Sequence, residues 1–122
     1  MATTPLIATG HAATFNEPYG VGDFMEQVHP RAFNSALRNP EVKYLWNHNT
    51  DNVLGSVVSG TLKLSTDTRG LMTETNVPKS ALREREAIER GDVSQMSFGF
   101  RTIEDHWEKR ADGTELRTLL HV

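Results

Sequence analysis

The run Val93-Ser94-Gln95-Met96-Ser97-Phe98-Gly99-Phe100 alternates large apolar side chains with small or polar ones from Met96 onward. This two-residue period predicts a β-strand with Ser97 and Gly99 on one face and the large side chains on the other. A serine beside a residue without a side chain leaves room for a peptide backbone to approach. Ser97 is therefore a candidate nucleophile. The alternative is an exposed polar position, because so short a motif is a weak indication by itself.

Outward from this run, the chain alternates strand and turn patterns. Residues 78–90 predict a helix that ends at Gly91. A shorter helix is predicted over residues 29–37, since proline is favoured at a first helical position. Strands are predicted at residues 6–15, 24–28, 42–46, 53–65, 71–77, 93–107 and 115–122, with polar turns or loops at 16–23, 47–52 and 111–114. The pattern indicates a mainly β or α+β domain, a barrel or sandwich with two inserted helices.

Length and composition exclude several classes of partner. The chain has 122 residues, which suits a single domain over residues 1–122. Its net charge of −3 favours neither nucleic acid nor an anionic membrane as a partner. With no cysteine, it has no disulfide, thiolate metal site or cysteine nucleophile. No long apolar run or signal peptide is present, so we expect a soluble cytoplasmic protein. The chain ends inside a predicted strand, and we therefore expect that strand to be truncated.

The histidines supply the partners that a serine nucleophile needs. A serine hydroxyl needs a base to take its proton, and that base needs a third group to orient it. His48 follows an apolar run at the end of a predicted strand, and His121 lies within an apolar run. Ser97 with His48 as base and His121 as orienting group would meet the need. The alternatives are a surface-loop histidine at 48 and a structural hydrogen bond at 121. None of the histidines has metalloprotease spacing, so no metal site is predicted.

Six motifs in order make the chain similar to a known family. They are GHAATFN at 10–16, VHPRAFNSAL at 28–37, WNHN at 46–49, VLG at 53–55, DTRGL at 67–71 and GDVSQMSFGF at 91–100. With them the chain resembles the prohead maturation proteases of tailed bacteriophages, which are related to the herpesvirus capsid maturation proteases, the assemblins. The resemblance implies a herpesvirus-protease-like β-barrel with inserted helices. It implies Ser97 as nucleophile, His48 and His121 as its catalytic histidines, and substrate binding near Phe98 and Gly99.

The resemblance also implies a function. It is that of a serine endopeptidase which cleaves scaffolding protein, or the scaffold segment of the major capsid protein, and itself. The reaction would take place inside the phage prohead in the host cytoplasm, without cofactor or metal, and a homo-oligomer is an open possibility. In herpesvirus relatives the segment beyond the second histidine supplies the oxyanion donor, so none is assigned here. Two alternatives stay open: an inactive assembly component of the prohead with the same fold, and an unrelated β-barrel binding module.

Overall fold

The computed structural model describes residues 5–122, and in this range it is mainly β. The residues that precede position 5, where the absence of a signal peptide was judged, lie outside the described part. The strands are β1 (Ile7–Thr14), β2 (Tyr19–Val21), β3 (Phe24–Val28), β4 (Lys43–Trp46), β5 (Asn49–Ser56), β6 (Leu62–Thr66), β7 (Gly70–Asn76), β8 (Glu104–Lys109) and β9 (Glu115–His121). One α-helix, α1 (Leu82–Arg90), and a short 3₁₀ helix at Ala36–Arg38 complete the regular structure of these residues. Among them, no helix is long and apolar enough to cross a membrane.

The described strands form three sheets. A three-stranded antiparallel sheet has the order β1-β7-β6, a four-stranded mixed sheet has the order β2-β3-β9-β8, and β4 and β5 form a hairpin. In the mixed sheet, β3 and β9 run parallel, although they lie far apart in sequence. The mainly β prediction is confirmed, but over residues 5–122 the strands do not close into one barrel.

The core lies where β3 and β9 meet the turns that follow β3. Val28 and Leu119 are paired neighbours on these strands, and both are fully buried. Phe33 packs on Phe15 from the turn region, with ring centroids 6.3 Å apart. Burial of each such side chain contributes about 1.5–3 kcal/mol to folding. This cluster is the platform on which the segment carrying Ser97 rests.

Two predicted elements differ from the structure because side chains redirect the backbone. The single strand predicted over residues 53–65 is two strands, β5 and β6, separated by a turn. Hydroxyl groups hold that turn: Ser59 Oγ lies 2.7 Å from Ser56 Oγ and 2.6 Å from Thr61 Oγ1. Such local hydrogen bonds compete with strand pairing. The start of β5 also lies inside the predicted turn 47–52, and β2 lies inside the predicted loop 16–23.

The helix predicted over residues 29–37 is a series of turns that ends in the 3₁₀ helix. Burial explains the difference: Ala32 and Phe33 are both buried, and His29 N–H bonds to Leu119 O at 2.9 Å. This pairing holds the chain against β9 at the point where the turns begin. The helix predicted over 78–90 is confirmed in α1, which ends at Gly91 in the left-handed conformation.

Candidate active site

Ser97 lies in an extended segment that is not a regular strand. The strand predicted over residues 93–107 begins only at Glu104, and residues 92–103 precede it without ladder pairing. Phe98 anchors the segment, because its ring packs on core residue Phe33 with centroids 5.3 Å apart. Phe98 also stacks on Phe100, with centroids 4.9 Å apart. The predicted alternation therefore holds for the side chains, although no neighbouring strand enforces it.

His48 lies in the two-residue turn that joins β4 to β5. Asn47 and His48 have φ values of 51° and 54°, and Trp46 pairs with Asn49 across the hairpin. Positive φ at both central residues is the geometry of a type I′ turn, in which glycine is favoured at the second position. A β-carbon in this region costs about 1–2 kcal/mol, although Asn tolerates it better than most residues. The backbone strain at His48 is typical of a residue held in place for function.

The turn and the extended segment bring Ser97 and His48 together. His48 Nε2 lies 2.5 Å from Ser97 Oγ, although the two residues are 49 positions apart in sequence. Both side chains are exposed to solvent, so a substrate can reach them. A serine within hydrogen-bond distance of an imidazole nitrogen is the arrangement that nucleophile activation requires.

The other nitrogen of His48 has no hydrogen-bond partner among the described residues. A β-carbon at Gly99 would lie 3.8 Å from His48 Nδ1. Gly99 therefore keeps the space beside the imidazole open. In a serine hydrolase this nitrogen is the one that an orienting group holds.

His121 is not brought to His48. Its Nε2 lies 2.8 Å from Ser35 Oγ, in the turn region before the 3₁₀ helix. The structure therefore joins Ser97 and His48, two of the three predicted catalytic residues, and shows the third in a separate hydrogen bond.

A groove of about 480 Å³ adjoins Ser97. The end of β1, residues 11–14, forms one wall, and the segment with Met96, Phe98 and Phe100 forms another. Tyr19 and Glu26 complete the lining. Of the two predicted substrate-binding residues, Phe98 lines the groove and Gly99 lies beside His48. This volume lies within the ordinary range for ligand pockets.

A polar cluster at the groove was missed by the sequence analysis. Tyr19 donates a hydrogen bond to Glu26 Oε2 at 2.6 Å, and Arg117 lies 3.2 Å from Glu26 Oε1. Glu26 is only 3% exposed, and Arg117 also pairs with Asp105 at 2.7 Å. Burial, with the bond to Glu26, raises the pKa of the Tyr19 phenol, which stays neutral. No signal in the sequence marks these residues, because a parallel strand pair brings Glu26 and Arg117 together.

No cluster of three or more His, Asp or Glu side chains that could hold a metal ion occurs within residues 5–122. Of the remaining histidines, His11 pairs with Asp67 at 2.7 Å, beside the groove. The pair formed by Ser97 and His48 can supply a nucleophile and a base.

Comparison with known proteins gives one match. The family model described as caudovirus prohead serine protease matches residues 2–122. No curated protein and no solved structure matches the chain. The family match excludes the unrelated binding module among the alternatives.

Proposed function

Because the chain belongs to the caudovirus prohead serine protease family, we propose that Ser97 and His48 are the nucleophile and general base with which it cleaves peptide bonds. The protein is a serine protease of phage capsid maturation and acts within the prohead in the host cell. The observation that carries the residue assignment is the 2.5 Å separation of Ser97 Oγ and His48 Nε2.

The proposed reaction is acyl transfer in two stages. Ser97 Oγ attacks the carbonyl carbon of the scissile peptide bond while His48 Nε2 takes the hydroxyl proton. The tetrahedral intermediate then collapses, and His48 returns that proton to the leaving amine. In the second stage, a water molecule gives a proton to His48 and attacks the carbonyl carbon of the acyl-enzyme. When this intermediate collapses, His48 returns that proton to Ser97 Oγ, and the new carboxyl terminus is released.

For the orienting group we propose His121, which makes the site a Ser-His-His type. This role requires the His121 ring to leave Ser35 Oγ and to reach the unpartnered Nδ1 of His48. Ser35 and His48 then compete for one imidazole. The support is the family resemblance at His121 together with the missing partner on His48.

The proposed substrates are the scaffolding protein or the scaffold segment of the major capsid protein, and the protease itself. A β-barrel like that of the herpesvirus enzymes and assembly into a homo-oligomer belong to the same proposal. A second candidate function, an inactive assembly component, predicts that Ser97 has no enhanced reactivity.

An active-site probe tests the proposal. The chain is treated with a small alkyl fluorophosphonate, and separately incubated with the capsid precursor, whose fragments are mapped by mass spectrometry. Ser97→Ala and His48→Gln should lose labelling and lower cleavage by about 10⁴-fold or more. Ser94→Ala is the matched control, because Ser94 lies exposed in the same segment, and it should keep both activities. Equal labelling of wild type and Ser97→Ala would favour the inactive assembly component.

The role of His121 is tested separately. His121→Ala should lower precursor cleavage, whereas Ser35→Ala should leave it equal or raise it, because it releases the His121 ring. Equal cleavage by wild type and His121→Ala would contradict the orienting role of His121 and leave Ser97 and His48 as the proposed catalytic residues.

A further inference from the structure

The outer edge of β1 is open for a short stretch beside Ser97. β1 is the edge strand of its sheet and pairs only with β7 among the described strands. At one end of the stretch, Met96 packs on the face of the sheet at Gly10, where an added β-carbon would lie 3.0 Å from Met96 Cε. At the other end, Phe15 bridges to Val28. Residues 11–14 line the groove, and their edge opposite β7 has no pairing strand among the described residues.

This edge lacks the charged side chains and proline that protect many exposed edges. Proteins blunt free edges with charged side chains or proline, which prevent a further strand from pairing. The β1 sequence IATGHAAT contains no Asp, Glu, Lys, Arg or Pro. By contrast β8, an edge of the four-stranded sheet, has the sequence EDHWEK. The β1 edge is therefore chemically suited to accept another strand.

The segment that forms the opposite wall also has unpaired backbone groups. Residues 94–101, which include Ser97, make no backbone–backbone hydrogen bond within the described part of the chain. Met96, Phe98 and Phe100 give this wall apolar side chains. On the β1 wall, Ala12 and Ala13 have small side chains that occupy little of the groove.

We propose that an extended, apolar segment of the polypeptide substrate binds by adding a strand to β1 at residues 11–14. The inference rests on the proposed function of Ser97 and names the binding surface of that same site. Main-chain hydrogen bonds to β1 hold the peptide in register, and its alternate side chains enter the apolar wall. The register shift between His11 and Ala13 turns the edge locally, as bulges beside active sites do. The scissile bond is thereby presented to Ser97.

The first test places a charge on the edge. Ala12→Lys introduces an edge-blocking side chain, and Thr9→Lys is the matched control, since Thr9 is exposed on β1 outside the groove. The probe substrate is an eight-residue peptide that spans the mapped cut in the capsid precursor. Ala12→Lys should lower kcat/KM for the peptide about tenfold or more, with an unchanged rate of fluorophosphonate labelling. Thr9→Lys should leave both unchanged. Wild-type peptide cleavage by Ala12→Lys, or an equal loss of labelling and cleavage, would overturn the inference.

The second test removes single hydrogen-bond donors from the peptide. N-methylation of an amide that faces β1 should lower kcat/KM about tenfold in wild type, the value of one such bond. Only alternate residues of an added strand bond to the edge, so the effect should alternate along the peptide. In Ala12→Lys the penalty should disappear, because the pairing is already lost. A penalty of the same size in both proteins would contradict strand addition at β1. If wild-type Ser97 is not labelled at all, the proposed function fails; normal labelling with insensitive edge variants refutes strand addition alone.

Discussion

At position 48, a glycine variant should be more stable than an alanine variant, which is the reverse of the usual order. In a strand interior, glycine is less stable than alanine by about 0.5–1 kcal/mol. At His48, with φ of 54°, we expect the reverse order. Glycine removes the strain of the left-handed conformation in the folded protein, about 1–2 kcal/mol. It also raises the conformational entropy of the unfolded chain, which destabilises the folded protein by about 0.4–1 kcal/mol. His48→Gly should therefore be more stable than His48→Ala by about 0.8 kcal/mol, the difference between the central values of the two effects. Both variants lose the hydrogen bond to Ser97, so that loss cancels in the comparison.

The measurement is urea unfolding of the two variants, analysed for free energy and for equal m-values. In thermal unfolding, the difference corresponds to roughly 2–4 °C for a domain of this size. Leu45, in β4, is the control position, where alanine should be more stable than glycine. Both variants at 48 should be inactive towards the capsid precursor. An alanine variant at 48 as stable as the glycine variant would refute the view that the turn holds this histidine under strain.

Three further predictions concern the scaffold of the site. Gly70→Ala should cost about 3 kcal/mol or more in urea unfolding, because its β-carbon would overlap the carbonyl oxygen of Ala13 on the paired strand. Arg117→Met should cost about 3 kcal/mol, since it leaves the Glu26 carboxylate buried without its cation. A second change, Glu26→Gln, should recover part of that loss, and no recovery would contradict the pairing. The pKa of Asp67 is lowered, chiefly by the backbone N–H of Gly70. The stabilisation of the folded protein by ionised Asp67 is complete above the pKa of this group in the unfolded chain, near 4. It is lost as the pH falls through the lowered pKa of Asp67 in the folded protein. Between pH 2 and 6, the melting temperature should therefore depend less steeply on pH for Asp67→Asn than for wild type.

Local sequence patterns predicted the elements whose conformation depends on local chemistry. β3 has its predicted bounds, β1 and β7 differ from theirs by one residue at each end, and α1 begins four residues later than predicted. Side-chain periodicity and the glycine after α1 are local signals. The turn that divides residues 53–65 was not predicted, although its signals are local. Gly60 has a positive φ, and Ser59 bonds to hydroxyl groups only two and three residues away. The region over 29–37 was predicted as a helix, but Phe33 is buried in the core, and its contacts decide the backbone there.

For the site, the sequence by itself determined which residues can do the chemistry. The order of the motifs singled out Ser97 and His48 and identified the family that the comparison then showed. Only the tertiary structure decided their relation, because a hydrogen bond of 2.5 Å across 49 residues depends on a strained turn and a segment anchored by Phe98. It also placed His121 on Ser35 and left one edge of β1 open beside the nucleophile. Sequence patterns report the properties of neighbouring side chains, whereas the distances between these groups depend on how separate strands pack against a shared core.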